Sequence, residues 1–192
     1  MRSTCLALLS LLLVLPACGD DTGGAGGSGG SGSGGEDIAP IGTGGGGGDT
    51  GPVGAELDPE ACEHLTEGPY VEHTATAALE TAPDVSAEHT AHTVTLVEFA
   101  GQNGGYVAFQ APAAGEYVFF LDTDLPLSIQ SSAGGDVPIE ASCDPAACSE
   151  ACTQIVGRHL VDLEVGTYYL ELGPTLEDSV NVAHEAVGAH AD

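Results

Sequence analysis

Histidine is the residue type in this sequence with the widest chemical range. There are seven histidines against only two arginines and no lysine. Carboxylates accompany some of them, since Glu63 precedes His64 and Glu88 precedes His89. Neutral imidazole together with carboxylate oxygen suits zinc or copper. The sequence therefore predicts a divalent metal site, and the residues we expect to form it are His64, His89, His92 and His159.

A second explanation of these histidines stays open. His159 shares the alternation phase of Val161 and Leu163, and His184 shares that of Val182. An imidazole on an inward face needs a partner, which a metal or an ordinary hydrogen bond at the rim of the core can supply. The histidines are thus also compatible with a structural or protein-interaction domain that has no metal site.

Motifs of catalysis are not evident. The sequence has no His-Glu-x-x-His, so the usual zinc-protease arrangement is missing. Its 29 acidic residues include many potential carboxylate pairs, but there is no tryptophan to form a sugar platform. We therefore expect a non-enzymatic protein, with a secreted hydrolase as a remote alternative.

The N-terminus combines Arg2 with an apolar run over 5–15, which is the length of a signal-peptide core and too short for a membrane span. Leu15-Pro16-Ala17-Cys18 follows and resembles the lipobox of bacterial lipoproteins. The resemblance implies a signal peptide at 1–17, acyl chains on Cys18 and anchoring in the membrane. Gly19 after the cysteine resembles the pattern of lipoproteins sent to the outer membrane.

Residues 18–56 are dominated by glycine, with serines at 28, 31 and 33. Such a segment has too little apolar surface to offset its conformational entropy, so we predict a disordered tether. A Gly/Ser coil of this length spans on the order of 30 Å. The tether would let the domain at 57–192 stand away from the lipid.

The charge is strongly negative, at −27 for the whole chain. This charge repels phosphate, which argues against nucleic acid as a partner. It also repels anionic lipid headgroups, so attachment to a membrane must be covalent. Divalent cations and an envelope protein remain as partners.

Four cysteines lie beyond the N-terminal segment: Cys62, Cys143, Cys148 and Cys152. An even number in an exported chain predicts two disulfides, and three pairings are available. We expect one bridge from Cys62 to the 143–152 loop and a second one within that loop. The alternative is a four-thiolate zinc site, but Cys-x4-Cys-x3-Cys does not match a zinc ribbon.

The rest of the chain shows period-two hydrophobic alternation broken by glycine and proline turns. It predicts eight or nine short strands, at 69–79, 92–99, 106–110, 116–121, 125–130, 137–140, 154–164, 167–172 and 179–185. Only 59–66 and 146–152 have a helical pattern. The fold class we predict is all-β, an antiparallel sandwich or jelly roll.

Two segments resemble strands of the bacterial pre-peptidase C-terminal domain. They are 114–121 (Ala-Gly-Glu-Tyr-Val-Phe-Phe-Leu) and 165–172 (Val-Gly-Thr-Tyr-Tyr-Leu-Glu-Leu). That family is a β-sandwich found beside secreted enzymes and in surface proteins. The resemblance implies an accessory or binding role and transfers no functional residue. Together these features predict a lipid-anchored binding module of the cell envelope.

Overall fold

The computed structural model describes residues 54–143 and 148–187. The predicted signal peptide, Cys18 and all but the last residues of the predicted tether lie outside the described residues, as does His190. Within the described ranges, no helix is long and apolar enough to cross a membrane.

The described residues form two β-sheets. The first sheet has the order β1-β2-β11-β5-β9-β8, with β1 at Tyr70–Thr74, β2 at Ala91–Thr95, β5 at Gly115–Leu121, β8 at Ala141–Ser142, β9 at Gly157–Leu163 and β11 at Ser179–Ala186. The second has the order β3-β4-β10-β6-β7, with β3 at Val97–Phe99, β4 at Gln102–Ala111, β6 at Leu127–Ser131, β7 at Asp136–Val137 and β10 at Gly166–Thr175. The predicted β-sandwich class is confirmed.

Strand β5 lies near the centre of the first sheet and is buried on both faces. Phe119 and Leu121 belong to the main hydrophobic cluster, which also contains residues of the second sheet such as Leu170. Val118 and Phe120, which alternate with them, belong to a second cluster. A strand covered on both sides needs a continuous apolar run, which explains the sequence Tyr-Val-Phe-Phe-Leu over 117–121.

Helix α1 (Asp58–Glu67) covers the outer face of the first sheet. Ala61 and Leu65, one turn apart, pack in the second cluster with Val118 and Phe120. Pro59 lies in the first turn, where a missing amide hydrogen costs nothing. The helix ends at Glu67 and is followed by Gly68, whose φ of 81° favours glycine. The predicted helix at 59–66 is confirmed.

Several details differ from the sequence-based prediction. The described residues form eleven strands, where eight or nine were predicted, and of the strand predicted at 137–140 only Val137 lies in a strand. Strand β1 ends at Thr74 and pairs with β2 in parallel, not antiparallel. The strand predicted at 92–99 is interrupted at Leu96, so that β2 and β3 belong to different sheets. The described residues of the predicted helix at 146–152, from Cys148 onward, form bends and no helix.

The cysteines pair as predicted, with Cys62 bonded to Cys152 and Cys143 to Cys148. The first bridge fastens helix α1 to the segment before β9 across 90 residues of sequence. The second closes a loop of only 5 residues.

The long bridge should contribute more to stability than the short one. Loop-closure entropy grows with loop length, so the Cys62→Ser/Cys152→Ser variant should lose about 2–4 kcal/mol of unfolding free energy. The Cys143→Ser/Cys148→Ser variant is the matched control and should lose about 2 kcal/mol less than this. Urea titration of both variants measures the difference. An equal or larger loss in the control would contradict the entropic role of the long bridge.

Candidate metal centre

Four side chains from three separate segments meet beside helix α1. Glu60 and His64 lie on α1, His89 lies in the loop before β2, and Glu185 lies on β11. One ligand atom from each of them falls within 4.8 Å of the other three. We call these four residues the His/Glu cluster.

The imidazole and carboxylate atoms of the cluster approach one another to between 3.1 and 3.9 Å. His64 Nε2 lies 3.4 Å from Glu185 Oε1 and 3.9 Å from Glu60 Oε1. His89 Nδ1 lies 3.1 Å from the same Glu60 oxygen. The carboxylate of Glu60 thus contacts both imidazoles.

The local structure explains why these residues meet. Glu60 and His64 are four residues apart on one helix and so share a face. On β11, Val180 and Val182 face the inter-sheet core, whereas Ala183 belongs to the cluster packed against α1. Strand alternation places Glu185 on the same side as Ala183, and therefore toward the helix.

His89 reaches the cluster from a tight turn. Its φ is 52°, a left-handed conformation that is uncommon for residues other than glycine. Its side chain is 58% exposed, which makes it the most accessible of the four.

The electrostatics of the cluster favour a cation. Glu185 is 4% exposed, and burial, followed by the nearby Glu60 carboxylate, raises its pKa to about 7. Because the pKa in the unfolded chain is lower, this carboxyl destabilises the domain increasingly as the pH rises from 4.5 to 7. A divalent ion beside Glu185 would offset that cost.

His64 adds an independent indication. It is 9% exposed, and both of its ring nitrogens are buried without a hydrogen bond among residues 54–143 and 148–187. Its contact with Glu185 lacks hydrogen-bond geometry. A buried polar nitrogen without a hydrogen bond is costly, and metal coordination would satisfy it.

Two imidazoles and two carboxylates form a donor set that zinc and copper accept. Bonds of 2.0–2.2 Å place tetrahedral ligand atoms roughly 3.4 Å apart. The widest spacing in the cluster is larger, up to 4.8 Å. Binding would therefore draw the donors inward, and the exposed His89 side chain has the most freedom to move.

The structure does not bring all four predicted histidines together. His64 and His89 meet, but His92 lies 1% exposed in the core, with Nδ1 3.0 Å from His73 Nε2 and Nε2 3.2 Å from the Ala87 carbonyl. Both of its nitrogens are thus engaged. His159 lies on β9 and lines a separate cavity with Asp124 and Cys143.

Glu60 and Glu185 were not among the residues expected from the sequence. Glu60 had a usable signal, because it precedes His64 by one helical turn. Glu185 had none, since only the packing of α1 over β11 brings it near the histidines. Its neighbour His184 points into the core, where it lies edge-on to Phe109 and parallel to His92.

The pKa of His159 predicts how stability depends on pH. Burial lowers this pKa from 6.5 to about 4. Between these two pKa values, His159 is protonated in the unfolded chain but neutral in the folded domain. The stability of the domain therefore falls as the pH drops from 6.5 toward 4. We expect His159→Leu to reduce the stability loss between pH 7 and 4.5 by about 2 kcal/mol.

Urea titrations of the metal-free protein at the two pH values measure this effect. The Glu185 contribution is common to the parent protein and the variant and cancels in the comparison. The same stability loss in both proteins would contradict the burial of a neutral His159.

Neither a protein-family model nor a curated protein matches this sequence. Among solved structures, the chain is similar to a carbohydrate-binding module found by sugar cane soil metagenome, in complex with cellopentaose and gadolinium ion. The identity is 11%, the TM-score is 0.35, and the match covers 58% of this chain and 99% of that chain. The described residues themselves define a two-sheet β-protein that carries a candidate metal centre on the outer face of its first sheet.

Proposed function

We propose that this protein is a lipid-anchored, non-enzymatic module of the bacterial cell envelope that binds a divalent transition metal, zinc or copper. The observation that carries the proposal is the convergence of Glu60, His64, His89 and Glu185, with one ligand atom of each inside 4.8 Å. Two of these four residues are histidines that the sequence had indicated as ligands.

Charge balance supports a divalent ion in this cluster. Two ionised carboxylates match the charge of a 2+ ion, and the imidazoles coordinate in their neutral form. Burial makes the negative charge on Glu185 unfavourable in the metal-free protein. Part of that cost would be recovered on binding, which favours uptake of the metal.

The surface charge supports covalent anchoring. Arg158 is the only arginine after Arg2 and is 3% exposed, bonded to Asp58. The described surface therefore offers no arginine or lysine to an anionic membrane. Acyl chains on Cys18, as the lipobox-like sequence implies, would supply the attachment instead.

Metal binding can be tested on residues 19–192, exported behind an ordinary cleavable signal peptide so that both disulfides form. Isothermal titration with zinc and with copper at neutral pH should show one site per chain with micromolar or tighter affinity. Absence of heat with either metal at millimolar concentration would refute the metal-binding proposal.

Anchoring requires a separate test on the full precursor. Mass spectrometry of the native protein should find an N-terminal peptide that begins at Cys18 and carries acyl chains. An unmodified N-terminus downstream of Cys18 would refute lipid anchoring and leave the metal site unaffected.

A further inference from the structure

A cavity of about 120 Å³ adjoins the His/Glu cluster. His89 and Glu185 belong both to its lining and to the cluster. Its other lining residues include Phe109, Tyr117 and His184, from the facing ends of β4, β5 and β11. A metal in the cluster would therefore lie at the edge of this cavity.

The inner wall of the cavity is aromatic. Phe109 and Tyr117 are 1% and 5% exposed and pack edge to face at 5.4 Å. The Tyr117 hydroxyl donates to the Ala113 carbonyl at 2.8 Å, so this residue offers its ring to the cavity. A flat apolar group would complement such a wall.

His184 adds a polar group to that wall. It is 5% exposed, and its Nε2 has no hydrogen-bond partner in the described part of the chain.

The size and charge of the cavity restrict its occupant. A volume of about 120 Å³ is well below the ~300 Å³ at which pockets for larger ligands begin. An anion would meet Glu88 and Glu185 in the lining and no positive side chain. A small, uncharged molecule fits both restrictions.

We propose that the cavity binds a small neutral nitrogen heterocycle of imidazole size. Its ring nitrogen would be a fifth ligand of the metal in the His/Glu cluster, added to the four protein donors, while its ring packs against Phe109 and Tyr117. This inference rests on the proposed metal-binding function. To that function it adds a coordination position of the metal that opens to the cavity, and it names the chemical class of the ligand in that position.

Cobalt(II) provides the test, because its visible absorption reports changes in coordination. Residues 19–192 are loaded with cobalt and titrated with imidazole and, separately, with acetate. We expect imidazole to change the spectrum saturably and acetate to bind at least tenfold more weakly.

Variants of Ala186 connect the effect to the cavity, since Ala186 lines it and is not a proposed ligand. Ala186→Leu should weaken imidazole binding at least tenfold while the cobalt spectrum persists. Ala186→Val is a milder second variant that should cause a smaller loss. Ala133→Leu, at an exposed position in the β6–β7 turn, is the matched control and should bind imidazole normally.

The outcomes separate the two proposals. If the protein does not change the visible spectrum of aqueous cobalt, the metal-binding function fails and this inference fails with it. If cobalt binds but imidazole has no effect, acetate binds equally well, or both Ala186 variants bind imidazole normally, only the cavity proposal is overturned.

Discussion

Replacing His64 with glutamine should weaken zinc binding by more than about 100-fold. His64 is the most enclosed imidazole of the cluster, and both of its nitrogens lack hydrogen bonds within the described chain. Loss of a residue that only supports a ligand already costs about 10–100-fold in affinity, and loss of a ligand should cost more. Isothermal titration of the exported, acyl-free chain measures the change.

His159→Gln is the matched control for this experiment. His159 was also expected as a ligand from the sequence, but it lines a different cavity. Its replacement should leave zinc affinity unchanged, and circular dichroism should show both variants folded. Equal weakening by the two substitutions, or none by His64→Gln, would count against the His/Glu cluster.

The second large effect concerns the buried ion pair between Arg158 and Asp58. Nε of Arg158 donates to Asp58 Oδ1 at 3.0 Å, and one terminal nitrogen donates to Oδ2 at 2.6 Å. The same terminal nitrogen donates to the Cys148 carbonyl at 2.5 Å. Each residue is 3% exposed, so neither charge has access to bulk water.

Arg158→Met should therefore lower the unfolding free energy by about 3–5 kcal/mol, because it leaves Asp58 charged and buried. The double variant Asp58→Leu/Arg158→Met removes both charges and should be more stable than the single variant. Urea titration compares the three proteins. A single variant as stable as the parent would show that the pair does not support the fold.

This ion pair also bears on the metal site. Asp58 begins helix α1, two residues before Glu60, and its partner lies on β9 of the underlying sheet. The Cys62–Cys152 bridge fastens the same helix four residues further along, at Cys62. Two separate constraints thus fix the helix that carries half of the cluster.

Much of the fold follows from local sequence patterns. The alternation of Val, Phe and Tyr between glycine turns was sufficient to predict the strands around β4, β5 and β10. The parallel pairing of β1 with β2 was not predictable, because alternation gives the two faces of a strand but not the direction of its neighbour. The break at Leu96 was hidden because the residues on both sides of it have strand-like sequences.

The candidate site could be predicted only in part. His64 and His89 were expected as ligands because carboxylates flank them in sequence. His92 and His159 were expected as ligands because they are also histidines. In the structure, His92 contacts His73 in the core and His159 lines a separate cavity, so neither reaches the cluster. Glu185 is 125 residues from Glu60, and only the tertiary contact of α1 with β11 brings the two together.

The most direct test of the metal centre is a crystal structure of the zinc-loaded protein with anomalous data collected on both sides of the zinc absorption edge. We predict one strong anomalous peak about 2.0–2.2 Å from a nitrogen of His64, a nitrogen of His89 and oxygens of Glu60 and Glu185. A peak at His92 or His159 with none in the His/Glu cluster, or no ordered zinc in crystals grown with stoichiometric metal, would contradict the account.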